Sequence, residues 1–319
     1  MMRSIIGASL RFRPLVIGRA AAALIFVLSA SACAGANPDR VTGGSNPKPE
    51  QATAKDFDPN RFDRSPNIDN EWLPEKPGTQ FVYEGSAISD EGRRISRRVV
   101  TTITDLTKVI DGVRTVVIWD RDYDDGQLVE GEIAFHAQDK AGNVWLLGEY
   151  PEEYEEGGKF VGAPSTWIAD MEGAKPGILM RATPRLGTSS YSQGLAPASE
   201  FTDRAEVYKV DQKTCVPVDC YQNVLVTNEW DAAAPEEGVQ RKYHAPDVGY
   251  VRVGFKPGDE EEETLILEKI RHLNPKALER VMNSIRNGLG MRETEIVKEP
   301  TRLWNPHFYA IFARVHNTL

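Results

Sequence analysis

The sequence predicts a mainly β protein: a curved antiparallel sheet, a half-barrel or barrel-like meander of about ten strands, with one or two C-terminal α-helices. Three observations carry that expectation. First, segments such as "TQFVYEG", "SRRVVTTITDL", "GVRTVVIWDRDY", "QLVEGEIAFHAQ" and "NVWLLGEY" alternate or cluster Val, Ile, Thr and aromatic residues with a period of two. Second, turn signals separate them: Asp111-Gly112, Asp124-Asp125-Gly126 and Lys140-Ala141-Gly142-Asn143. Third, the intervals are short, which suits antiparallel hairpins, because parallel pairing needs a long crossover. Further strands are expected at "KFVGAPSTWI", "RAEVYKV", "YQNVLVTNEW", "VQRKYHA", "GYVRVGF" and "ETLILEKI".

The N-terminus reads as an export signal spanning residues 1–32. Arg3, Arg11, Arg13 and Arg19 precede an apolar run from Ala20 to Leu28, and small residues lead to Cys33. The run is shorter than the roughly 18–20 apolar residues that cross a bilayer. Two processing routes fit. Ala30-Ser31-Ala32 satisfies the A-x-A pattern for ordinary cleavage and release. The same residues followed by Cys33 resemble the lipobox of bacterial lipoproteins, in which the cysteine sulfur receives a diacylglyceryl group. Leu28 stands further ahead of Cys33 than that pattern usually has it. A lipidated Cys33 would make a membrane surface the first partner. Loss of residues 1–32 removes four arginines and no acid, so the formal net charge moves from −9 to −13. Such a body does not seek nucleic acid.

Residues 33–66 are polar and rich in Pro, Gly, Asn and Asp, and are expected to form a flexible tether. The β domain is placed at residues 67–272. Its entry, "NEWLPEKPGTQFVYEG", resembles a group of exported bacterial proteins that open their β-domain with Asn-Pro-x-x-Pro-Leu-x-Pro-Gly-Thr and an aromatic strand. Asn70, Pro74, Pro77, Gly78, Thr79 and Tyr83 match, whereas Glu71 stands where Pro is usual and Glu75 where Leu is usual. "AQDKAGNVW" and "KYHAPDVGYV" are also similar to later segments of that group. The resemblance implies an exported β-rich domain and assigns no activity. Locally, Pro77-Gly78 makes a turn that aims Phe81 and Tyr83 into the first strand.

The C-terminal extension, residues 273–319, changes period. Asn274 is a good N-cap and Pro275 suits the first helical position. Leu278, Val281, Met282 and Ile285 form a helical stripe that Gly288 can end, and a second helix is expected from Pro306.

Four features bear on chemistry. Cys215 and Cys220 have four residues between them and lie between strand-like segments, which makes a disulfide across a hairpin in an exported protein. Asp120, Asp122 and Asp124 have the spacing of the first ligands of a calcium loop, but the glycine falls one place late and the twelfth position is Gly131. A hairpin tip with solvated charge explains that stretch as well. Glu130, Glu132 and His136 share one strand face, where residues two apart lie ~6.6 Å from each other. That face is either the wet side of a two-faced sheet or an acid–base constellation in a cavity. Trp119, Trp145, Trp167 and Trp230 lie in strands, as core or as the wall of an apolar cavity. No nucleophile elbow, zinc motif or cofactor fingerprint occurs. Two functions follow: non-catalytic binding of a small amphiphilic ligand or an envelope protein, or hydrolysis by the Glu130/Glu132/His136 face.

Overall fold

The computed structural model describes residues 54–288. The signal segment, Cys33 and the helix expected from Pro306 lie outside them. The described chain builds one antiparallel sheet of fifteen strands. Five long strands come first: β1 (Thr79–Ile88), β2 (Arg94–Ile110), β3 (Val113–Asp124), β4 (Gln127–Gln138) and β5 (Val144–Glu155). Short pieces follow: β6 (Lys159–Gly162), β7 (Trp167–Ile168), β8 (Lys175–Met180), β9 (Tyr191–Ser192) and β10 (Gly194–Leu195). The second half comprises β11 (Asp203–Cys215), β12 (Cys220–Asp231), β13 (Gln240–Ala245), β14 (Gly249–Phe255) and β15 (Thr264–His272). Neighbouring order runs β10-β8-β5-β4-β3-β2-β1-β15-β14-β13-β12-β11-β9.

The two ends of that order meet through one residue. Segment 191–195 pairs with β11 at its start and with β8 at its finish, and Gln193 between them donates its N–H to Asp203 O at 2.8 Å. The sheet is thus a nearly closed barrel, which leaves little exposed strand edge. Close approach at the seam depends on glycine. A Cβ on Gly177 would stand 2.2 Å from the backbone of Gln193 and Gly194.

The turns follow their sequence. Asp111-Gly112 and Asp125-Gly126 both take positive φ at both central positions, the type I′ geometry that matches strand twist. Pro77-Gly78 forms a turn closed by Thr79 N–H to Lys76 O at 3.1 Å, with Gly78 at φ +87°.

Alternation divides the side chains into two cores. The inward face carries Phe81, Tyr83, Val99, Ile103, Val116, Ile118, Leu225, Val251, Leu265 and Leu267. The outward face of β2–β5 carries Leu106, Val117, Trp119, Ile133, Phe135, Trp145 and Leu147. These strands are therefore covered on both sides and are not two-faced with a wet side. The outer cover includes helix α1 (Pro275–Gly288), which buries Met282 and Ile285 and is capped by Asn274 Oδ1 accepting from Ala277 N at 2.9 Å. It also includes the end of the stretch expected as a tether. Phe57 and Phe62 set their rings 5.5 and 6.0 Å from Trp145, and Ser65 Oγ donates to Arg114 O at 2.6 Å. Two aromatic residues supply the apolar area that the polar composition of 33–66 hides.

Cys215 and Cys220 form a disulfide across the β11–β12 hairpin, and Val216 N–H donates to Asp219 O at 2.9 Å inside it. Val216, Val218 and Tyr221 near its tip pack against the inward core.

Candidate functional site

The inward face changes from apolar to charged along the barrel, because the inward residues of β3 run Val116, Ile118, Asp120, Asp122, Asp124 and those of β4 run His136, Ala134, Glu132, Glu130. Period two places all three aspartates and all three members of the Glu/His set inside. The face expected to be wet is interior: Glu130, Glu132 and His136 are buried, as are Asp120 and Asp122.

At one end the charges gather on Arg97, which is 1% exposed. Its guanidinium donates to Glu263 Oε1 at 2.6 Å, Asp122 Oδ2 at 2.8 Å and Asp124 Oδ1 at 3.1 Å. Burial opposes its charge, but these carboxylates outweigh it and hold the guanidinium firmly protonated. For Asp122, burial pushes the carboxyl up and Arg97 offsets only part of that. Beyond this cluster a cleft of about 610 Å³ opens among the hairpin tips, with Asp124 and Glu130 in its wall. Asp122 and Asp124 therefore serve as strand residues around an arginine, and Asp120 lies apart from it. Among the described residues no His/Cys/Asp/Glu group is placed to hold a metal ion.

The middle of the barrel holds Asp120, Glu132 and Glu149. All three carboxyls are pushed well above their ordinary range, in each case first by burial. For Asp120 the Asp122 carboxylate adds to that, and for Glu132 the Glu149 carboxylate does. Neither oxygen of Asp120 meets a donor in good geometry, and Trp167 Nε1 donates to Glu149 Oε2 at 3.1 Å. Burial thus favours the protonated, neutral form of each of these carboxyls.

At the other end lies a partly open cavity of about 50 Å³. Segment 68–75 straps across it. Asn70 Oδ1 accepts from the backbone N–H groups of Trp72 and Leu73, while Asn70 Nδ2 donates to Gly142 O at 2.8 Å and Arg181 O at 3.3 Å. Gln138 Oε1 accepts from Asp69 N and Asn70 N. On the opposite side Glu71 O accepts from Asp247 N at 2.7 Å, and His244 Nδ1 lies 3.2 Å from Trp72 O. The strap thereby spans from β4 to the β13–β14 turn and delivers Leu73, Pro74 and Glu75 to the cavity.

Glu75 Oε1 sits 2.8 Å from His136 Nδ1, with both residues at least nine-tenths buried. Glu75 Oε2 and His136 Nε2 have no hydrogen-bond partner among the described residues. Across the cavity, Lys242 Nζ pairs with Glu229 Oε2 at 2.7 Å. Burial raises Glu229, but Lys242 more than offsets it and the carboxylate stays ionised. Burial lowers His244 to about 4, so its ring is neutral. Tyr83 and Tyr250 stack at 4.8 Å in the wall, and Tyr83 Oη donates to Tyr250 O.

The expected acid–base set does not converge on one opening. His136 lines the cavity beneath the strap, Glu130 lines the cleft at the opposite end, and Glu132 belongs to neither. His136 pairs with Glu75, 61 residues away in the chain, which strand periodicity does not signal. Among the described residues His136 Nε2 has no hydrogen-bond partner.

No family model matches the chain, and no curated protein matches it significantly. Two solved structures are similar in shape. One is a protein of Bacteroides fragilis described as exported and of YmcC-like fold, at 13% identity and TM-score 0.37. The other, from Parabacteroides distasonis, is described as a lipoprotein, at 11% identity and TM-score 0.35. Each comparison covers 63% of this chain and 99% of the other.

Proposed function

We propose that this chain is a non-catalytic binding protein of the cell envelope, exported by its N-terminal signal, held at a membrane surface through a lipid on Cys33, and binding a small molecule beneath strap 68–75. The observation that carries the binding reading is the cavity itself. It is a partly open pocket, walled by Phe81, Ile103 and Leu179, and lined by two residues that each carry a buried polar atom with no hydrogen-bond partner among the described residues. Buried polar groups in folded proteins generally find a partner, so two such atoms beside one pocket support a ligand or bound water there. The volume suits a small molecule or a head group and not a whole acyl chain, which narrows the expected amphiphile. The Cys215–Cys220 bond and the signal-like N-terminus support export to an oxidising compartment.

Native mass spectrometry of the full chain after mild extraction tests binding. A reproducible added mass is expected, lost when Ile103→Trp fills the cavity. A consistently empty protein, unresponsive in melting temperature to a panel of small molecules, overturns the reading. Intact-mass analysis of the membrane fraction tests the anchor. Diacylglyceryl on Cys33 is expected, and an unmodified N-terminus at Ala34 refutes it.

A further inference from the structure

The unpartnered atoms specify the ligand's chemistry. A carboxylate oxygen only accepts, so His136 Nδ1 carries the ring proton shared with Glu75 Oε1, and in the tautomer with that one proton Nε2 is an acceptor. Glu75 Oε2 is an acceptor in any ionised state. Two acceptors without donors therefore line one small space. Charge points the same way. Glu229 is compensated by Lys242 at 2.7 Å, whereas Glu75 faces only an imidazole. The wall thus sets two carboxyl groups, Glu75 and Glu229, against one lysine beside the aromatic rings of Phe81, Tyr83 and Tyr250. A buried charge is tolerated when it is paired and hydrogen-bonded. An anion would add to the acidic side of that balance. An alcohol would supply one donor and leave the charge in place. A primary ammonium has three donors and no acceptor, and it is attracted to aromatic faces.

We infer that the cavity takes a small primary ammonium ion, which donates to Glu75 Oε2 and His136 Nε2 and lies among Phe81, Tyr83 and Tyr250. This rests on the cavity being the binding site. The class covers a short alkylamine or the ammonium end of a longer amphiphile whose stem leaves past the strap. Glu75 sets the preference, and Glu75→Leu would turn the same space apolar.

The test titrates the full chain with ethylammonium chloride, ethanol and sodium propionate at constant ionic strength, following melting temperature and the imidazole nitrogen resonances. Ethylammonium is expected to raise the melting temperature saturably and to shift His136 Nε2, with ethanol and propionate doing neither. Glu75→Gln keeps the side chain's size and is expected to weaken ethylammonium binding at least tenfold. Binding of ethanol or propionate in preference to ethylammonium overturns the inference and leaves the cavity reading standing. So does an unmoved His136 Nε2 in the wild-type chain, a readout that does not depend on any variant folding. A co-purified ligand that carries no ammonium does the same. Failure of all three probes in a protein that also extracts empty overturns both.

Discussion

Arg97→Met removes the one cation from a cluster of acids inside the barrel. In the folded protein the guanidinium meets Glu263, Asp122 and Asp124 at 2.6, 2.8 and 3.1 Å, and it is 1% exposed. Exposed ion pairs are worth about 0–1 kcal/mol each. Breaking a buried one costs about 3–5 kcal/mol, because the remaining charge stays desolvated. Met matches the volume of the stem, so little of the loss comes from a cavity. The expected destabilisation is therefore about 3–5 kcal/mol at pH 7, read from urea unfolding as a fall in midpoint at unchanged slope. Arg98→Met serves as control. Its bond to Glu84 joins side chains about half exposed, and its loss should change stability by under about 1 kcal/mol. Acidification gives the sign. Burial already raises Asp122 above its ordinary range, and losing Arg97 raises it further. A group with a raised folded pKa contributes stability below its unfolded pKa and loses it as pH rises. The Met variant should thus approach wild type near pH 4 and diverge from it toward pH 7. A deficit under about 1 kcal/mol at pH 7, or one independent of pH, refutes the account of a buried, charge-balanced cluster.

Three further expectations concern separate features. Glu132→Gln should flatten the pH dependence of stability. Burial raises the Glu132 carboxyl well above its ordinary range, so wild type loses up to about 1.4 kcal/mol per pH unit and per proton as pH rises past the unfolded carboxylate range, and parallel curves for the two proteins from pH 5 to 8 would refute this. Cys215→Ser should cost about 2 kcal/mol under oxidising conditions, the loop-closure value for so short a ring, and equal melting temperatures would remove the staple's role. Gly177→Ala should cost about 1–3 kcal/mol and loosen amide protection at Gln193, since the new methyl meets backbone at 2.2 Å; unchanged protection there would contradict the seam.

Strand periodicity made most of the barrel wall legible, because long antiparallel strands need alternation and tight turns, and both are written in consecutive residues. The seam was not. β8 begins Lys175-Pro176-Gly177, which reads as a turn, and β9 and β10 are two residues each. Their pairing rests on close backbone approach, for which the only local sign is glycine. "KFVGAPSTWI" reads as one strand but breaks at Ala163-Pro164 into β6 and β7. Phe57 and Phe62 were hidden by polar neighbours, since a composition window averages away two anchoring rings.

The candidate site shows the same division more sharply. Alternation placed Glu130, Glu132 and His136 on one face, and the structure keeps them there. It gave no access to what that face meets, because burial is a property of the closed sheet. Nor could it pair Glu263 with Arg97, since "GDEEEET" looks like solvated charge until the mouth of the barrel folds Glu263 inward. Glu75 is the instructive residue. In the sequence it marks a departure, an acid where the resembling group has leucine. Leucine at that place would simply close the strap over an apolar interior. An acid there needs a partner, and His136 supplies only one of the two hydrogen bonds its oxygens can use. A buried carboxylate placed by a strap held at both sides, with one oxygen left over, costs stability unless something else donates to it. A donor bound in the cavity would supply that missing hydrogen bond, and the ethylammonium titration decides whether one does.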